Sequence, residues 1–289
     1  MVYQISNELL TLAIDGTGGA MQHMVFDGQE YLWQGDPTYW REQAPHLFPI
    51  LGRLTKGRCT MDGDPVTLDV HGFFRRRPME LAAREADRLT LVQTWDAETY
   101  AAYPRKWRVL LTYALEGSTV RITFRVENLD EKRLYFYYGG HPGFKLPLEA
   151  GLTFEDYCVQ FPAGARLRQR PVTGAGFMTG EAPDYPLEHN QLRLRRNLFD
   201  CDAVILEGTG GEATLLAPGH RRQITVSYPQ MRYLGIWQPA GTDAPFLCLE
   251  PWCALPDRQD QTTELSEKED VSCLEPGAAY ENTWSVTLR

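Results

Sequence analysis

Apolar residues recur along the chain in short alternating or β-branched runs, broken by Gly, Asp, Asn and Pro. The spacing has the two-residue period of strands and little of the 3.6-residue period of helices. Residues 9–14 predict a first strand, with a turn over 15–19. Residues 20–26 predict a second strand, closed by Asp27-Gly28, and 30–33 a short third. The runs 88–95, 107–115 and 119–127 alternate cleanly, and their short connections predict neighbouring antiparallel strands. Residues 133–138 lead into Gly139-Gly140-His141-Pro142-Gly143-Phe144. The second half repeats the style at 203–207, 213–216, 223–228, 233–238, 246–249 and 280–288. Short helical turns are expected only at 36–41 and 98–103. Residues 162–186, rich in Gly and Pro, have the composition of a linker, but strands of one style flank them, and no internal repeat occurs. The expected architecture is all-β: one domain over 1–289, built as a large antiparallel β-sandwich.

Composition narrows the partners. The 289 residues are 43% hydrophobic and 23% charged, with a net charge of -9 and a pI near 5.2. This acidic balance argues against nucleic acid or an anionic membrane as the partner. No apolar run approaches the roughly 20 residues that span a bilayer, and residues 1–8 lack the features of a secretion signal. The six cysteines are scattered, without a Cys-x-x-Cys pair, and the six histidines have no ligand spacing. Reduced thiols, a cytoplasmic setting and no structural zinc site are expected.

Four polar groups stand in unusual surroundings. His141 is held between glycines and a proline after an aromatic strand. Glu250 lies inside the apolar run Phe246-Leu247-Cys248-Leu249-Glu250-Pro251-Trp252 and needs a partner if buried. Arg53 follows Phe48-Pro49-Ile50-Leu51-Gly52, and His71 sits in Val70-His71-Gly72-Phe73-Phe74. The bland alternative for a histidine is a satisfied backbone group, and for the aromatics core packing. A histidine and a carboxylate could together move protons. Arginine and a second histidine could donate hydrogen bonds to developing charge on oxygen. Trp33, Trp40, Phe73, Phe74, Phe144, Trp237 and Trp252 could stack on a sugar face. No phosphate loop, Gly-x-Gly-x-x-Gly or Gly-x-Ser-x-Gly occurs. Gly208-Thr209-Gly210-Gly211 suits a hairpin turn, and Arg75-Arg76-Arg77 suits a solvated edge or a phosphate contact.

In these segments, in their order, the chain resembles the aldose 1-epimerase (galactose mutarotase) superfamily and its LacX-like branch. The segments are Glu30-Tyr31-Leu32-Trp33-Gln34-Gly35-Asp36, Leu47–Arg53, His71-Gly72-Phe73, His141-Pro142-Gly143-Phe144, Cys248–Trp252 and Leu274-Glu275-Pro276-Gly277. The resemblance runs along nearly the whole chain. It implies a β-supersandwich and cofactor-free interconversion of the α and β anomers of an aldose, the small-molecule partner, by a monomer or homodimer. It further implies Glu250 as general base, His141 as general acid, and Arg53 and His71 as substrate-binding groups. A sugar-holding aspartate is implied at Asp202, with Asp200 as the alternative, and Trp237 is expected among the substrate contacts. Classical galactose mutarotases carry an Asn-His-Leu-His-Gly type segment, of which only His71-Gly72 remains here. A hexose-6-phosphate mutarotase using Arg75–Arg77, or a non-catalytic carbohydrate-binding protein, are the alternatives. If His141 and Glu250 lie within about 6 Å, pairing is expected to outweigh burial and leave imidazolium and carboxylate charged.

Overall fold

In the computed structural model, which describes residues 1–259 and 264–289, two antiparallel sheets of seven and nine strands pack face to face. The nine-stranded sheet contains the three alternating runs expected to be neighbours, while other expected strands fall in the seven-stranded and four-stranded sheets. Trp107–Glu116 pairs with Thr119–Asn128 on one side and with Arg88–Thr94 on the other. Ala279–Leu288 adds to Thr119–Asn128 beyond them. Alternation decides their faces: Trp107, Val109, Leu111, Tyr113 and Leu115 are buried, and so are Val120, Ile122, Phe124 and Val126. Glu80–Arg84 forms the edge of this sheet with every side chain exposed, so no apolar period marks it. A separate four-stranded sheet begins with Val2–Ser6 and Leu10–Asp15.

The seven-stranded sheet orders Arg168–Gln169, Val204–Glu207, Tyr233–Trp237, Phe246–Trp252, Gly139–Gly140 and His46–Leu47, with Gly143–Lys145 also on Phe246–Trp252. Phe246–Trp252 is buried along its whole length. Leu247 and Leu249 join the main core, while Phe246 and Cys248 join a smaller cluster with Trp33 and Ala244.

Two local expectations change and a third holds. The short third strand is Gln29–Glu30 rather than 30–33, because Trp33 turns away and its indole N–H donates to the Trp40 carbonyl at 2.7 Å. At 36–41 no helix propagates: the Tyr39 and Trp40 N–H groups both donate to the Asp36 carbonyl, and one turn closes. Near 98–103 a helix does form, Ala97–Ala102, capped by Asp96, which accepts the Thr99 N–H while the Thr99 hydroxyl accepts the Asp96 N–H.

The sheets are joined by a buried polar chain. The Trp284 indole donates to the Tyr138 hydroxyl at 2.8 Å, and Tyr138 donates to His46 Nδ1 at 3.2 Å. His46 Nε2–H then donates to the Tyr113 hydroxyl at 2.7 Å, and Tyr113 to the Gly19 carbonyl at 2.6 Å. The direction of each bond fixes His46 as the neutral Nε2–H tautomer. Burial holds its imidazole down to about 3.

Candidate active site

Backbone register brings His141 to Glu250. Gly139 pairs with Trp252 and Gly143 with Cys248, so His141 falls opposite Glu250 on the same strand. Pro142 has no N–H and interrupts the ladder there, although its carbonyl still accepts the Leu249 N–H at 3.2 Å. The two side chains rise on one face of the sheet, with His141 Nε2 3.2 Å from Glu250 Oε2. The contact is close without hydrogen-bond alignment: Glu250 Oε2 and His141 Nδ1 are buried and have no partner among the described residues.

Both groups lie on the wall of a cleft of about 380 Å³. Arg53, His71, Asp202 and Trp237 line the same cleft, so every site residue expected from the sequence meets there. Asp202 lines it, whereas Asp200 is exposed and does not. His71 and Asp202 both hold left-handed backbone, with φ of 64° and 81°, a conformation that costs of order 1–3 kcal/mol for a non-glycine residue. The Gly52 N–H donates to His71 Nδ1 at 3.0 Å, which puts the imidazole proton on Nε2. Trp40 stacks on the His141 ring at 4.8 Å between centroids, and Trp237 meets that ring edge-on at 5.7 Å.

Sequence reasoning missed Glu42 and Gly176. Of the three consecutive arginines only Arg75 reaches the cleft, and it is ion-paired with Glu42 on the same wall. Arg76 pairs with Asp69, and Arg77 with Asp96 and Glu98. The segment 162–186 is no linker, since it folds back to supply Val172 and Gly176 to the cleft. A Cβ at Gly176 would lie 3.4 Å from Asp202 Oδ2 and 3.5 Å from Arg53 Nε. Those are ordinary contact distances, and it is the left-handed backbone, with φ of 77°, that favours glycine at this point between the two polar groups. The Arg53 loop is tied down by Asp257, whose N–H donates to the Arg53 carbonyl and whose carboxylate accepts the Thr55 N–H. Asp257 is in turn ion-paired with buried Lys268.

Burial, not pairing, dominates the electrostatics of the pair, against the sequence-based expectation. It pushes the Glu250 carboxyl well above its ordinary range, and the charge of Asp202 adds to the effect. It pulls the His141 imidazole down to about 3. His71 is held well below its ordinary range by burial and then by neighbouring His141. Burial also raises Asp202, opposed by the Trp237 indole. Burial thus favours the uncharged form of the pair, a carboxylic acid beside a neutral imidazole. That form has the same proton count as carboxylate beside imidazolium, and one proton moved across 3.2 Å converts one form to the other.

The fold agrees with that of the relatives. The family profile described as aldose 1-epimerase matches residues 1–287. The chain is 29% identical over 299 residues to Protein LacX, chromosomal, of Lactococcus lactis subsp. lactis, covering 100% of this chain and 99% of that one. A galactose mutarotase-like protein from Lactobacillus casei superposes with a TM-score of 0.95 at 30% identity, covering 100% of both chains. The galactose mutarotase related enzyme from Lactobacillus acidophilus also gives 0.95, at 28% identity, covering 100% of this chain and 97% of that one.

Proposed function

Because the chain belongs to the aldose 1-epimerase family, we propose that it is a mutarotase, interconverting the α and β anomers of an aldohexose by acid–base catalysed ring opening. The observation that carries this reading is the separation of 3.2 Å between His141 Nε2 and Glu250 Oε2 at the wall of a sugar-sized cleft.

Glu250 removes the proton of the anomeric hydroxyl and His141 delivers one to the ring oxygen. The C1–O5 bond breaks, the open-chain aldehyde rotates about C1–C2, and the ring closes on its other face with the roles reversed. Starting from the neutral pair, Glu250 first passes its proton to His141. The Nε2–H of His71 and the Arg53 guanidinium donate to oxygen as negative charge develops. Asp202 accepts from sugar hydroxyls, and Trp40 and Trp237 offer faces to the ring C–H groups. The pairing of Arg75 with Glu42 favours an uncharged sugar over a phosphorylated one. Six unpaired cysteines suit the reducing cytoplasm.

The test is polarimetry of freshly dissolved aldoses and hexose 6-phosphates with the wild type and with Glu250→Gln. The wild type should speed equilibration, and loss of the general base should slow it by at least ~10²-fold. Sugar binding without any change in the rate of equilibration would instead identify a carbohydrate-binding protein.

A further inference from the structure

Cys248 stands directly behind the acid–base pair. It lies two residues before Glu250 on the strand Phe246–Trp252 and so projects to the same face. One ligand atom from each of Cys248, His141 and Glu250 lies within 4.8 Å of the others. All three side chains are buried, Cys248 completely, and the thiol is free. Among the described residues Glu250 Oε2 has no hydrogen-bond partner, and His141 Nε2 faces it at 3.2 Å, so donor atoms of both groups are open where the three converge. No local spacing reveals this set, because His141 comes from a distant segment of the chain.

We propose that Cys248, His141 and Glu250 form an inhibitory site for a soft divalent transition ion of the zinc class. Thiolate, imidazole and carboxylate are the donors zinc takes, at about 2.0–2.3 Å each. The ligand atoms of a tetrahedral ion are then about 3.5 Å apart, so the set closes by roughly 1 Å around the metal. On binding, the thiol S–H and the carboxyl O–H each release a proton to solvent. The two resulting anions offset the 2+ charge, and the buried complex is neutral, as a site poor in water requires. The fourth position faces the cleft, through which the ion enters. Softness selects zinc, cadmium or cobalt over magnesium or calcium, which prefer all-oxygen sites. Inhibition rests on the mutarotase reading, because the ion occupies the atoms that would move protons. Metal binding itself does not rest on it.

The experiment uses the full chain and cobalt(II) as the probe. Stoichiometric cobalt should give a thiolate-to-metal charge-transfer band, absent in Cys248→Ala and in the near-isosteric Cys248→Ser, which serves if the alanine variant folds poorly. In the rate assay, zinc should inhibit the wild type and a chelator should restore it. Both cysteine variants should keep the basal rate and need at least about tenfold more zinc for the same inhibition, the minimum expected for losing a direct ligand. Wild-type protein without a cobalt–thiolate band would overturn the site, as would equal zinc sensitivity in wild type and variants. A cobalt band in a protein that does not speed mutarotation would leave the site standing and remove the mutarotase reading instead.

Discussion

Gly235 lies directly across the ladder from Glu250, on the side opposite His141. A Cβ there would sit 3.3 Å from Glu250 Cβ and 3.3 Å from Trp252 Cζ2, tighter than ordinary contact. The missing side chain lets the carboxyl stand upright between its neighbours. Gly235→Ala should tilt Glu250 and lower kcat/KM by about tenfold, or ~1.4 kcal/mol, with the melting temperature nearly unchanged. Gly235→Val should do more. Unaltered kinetics in a folded Gly235→Val would show that the carboxyl has room to spare.

The pH–rate profile should have inverted limbs. The His141–Glu250 pair gains its second proton only as His141 protonates, near pH 3. It loses its single proton as Glu250 ionises, above the ordinary carboxylate range. The expected plateau is therefore bounded on the acid side by the histidine and on the alkaline side by the carboxyl, as values belonging to the pair. His141→Asn should erase the acid limb and most of the rate. An acid limb centred near an ordinary imidazole value, about 6.5, would show that pairing prevails over burial.

Arg53→Ala and His71→Ala should each cost about 10²-fold in kcat, the effect of losing one donor to developing charge. Thermal unfolding should barely change for Arg53→Ala, because that side chain is exposed. His71→Gly should be more stable than His71→Ala, since φ of 64° suits glycine. Normal turnover with a large fall in melting temperature would make both residues structural.

Glu42 sets the charge of the cleft. Glu42→Gln frees Arg75 and should raise activity on a hexose 6-phosphate relative to the unphosphorylated sugar by about tenfold, the worth of a charge-assisted contact. A ratio unchanged by Glu42→Gln, with both substrates turned over, would place the phosphate beyond reach of Arg75.

Acid should destabilise the fold through His46. Its folded value, about 3, lies below the unfolded value of about 6.5. Between those limits the unfolded chain holds one more proton, and stability falls as pH falls by about 1.4 kcal/mol per unit. His46→Gln keeps one donor and one acceptor for Tyr113 and Tyr138. It should reduce proton uptake on urea unfolding at pH 5 by nearly one; an unchanged uptake would mean that His46 is already protonated in the folded protein.

Sequence pattern made the middle of the nine-stranded sheet legible because its long strands bury one face and alternate strictly, as Trp107–Glu116 does. It could not mark Glu80–Arg84, whose side chains are all exposed. The polar residues of the site stood out because each interrupts an apolar or glycine-rich setting, as Glu250 does between Leu249 and Pro251. Glu42 and Gly176 carry no such signal. Glu42 is an ordinary acidic residue until Arg75 meets it, and Gly176 matters only because Arg53 and Asp202 converge on it. The dominance of burial over pairing was likewise hidden, since the degree of enclosure comes from distant strands.

A Cβ at Gly140 would meet Trp284 Cζ2 at 2.6 Å, so the backbone that presents His141 rests on an indole from the strand Ala279–Leu288. Trp284 joins the growing chain more than a hundred residues after His141. During synthesis, then, His141 leaves the ribosome long before its support exists, and contacts so remote in sequence close slowly. The nascent protein passes through a period in which His141 and Glu250 have been translated but the backbone beside His141 has no floor, which arrives only when the strand Ala279–Leu288 docks.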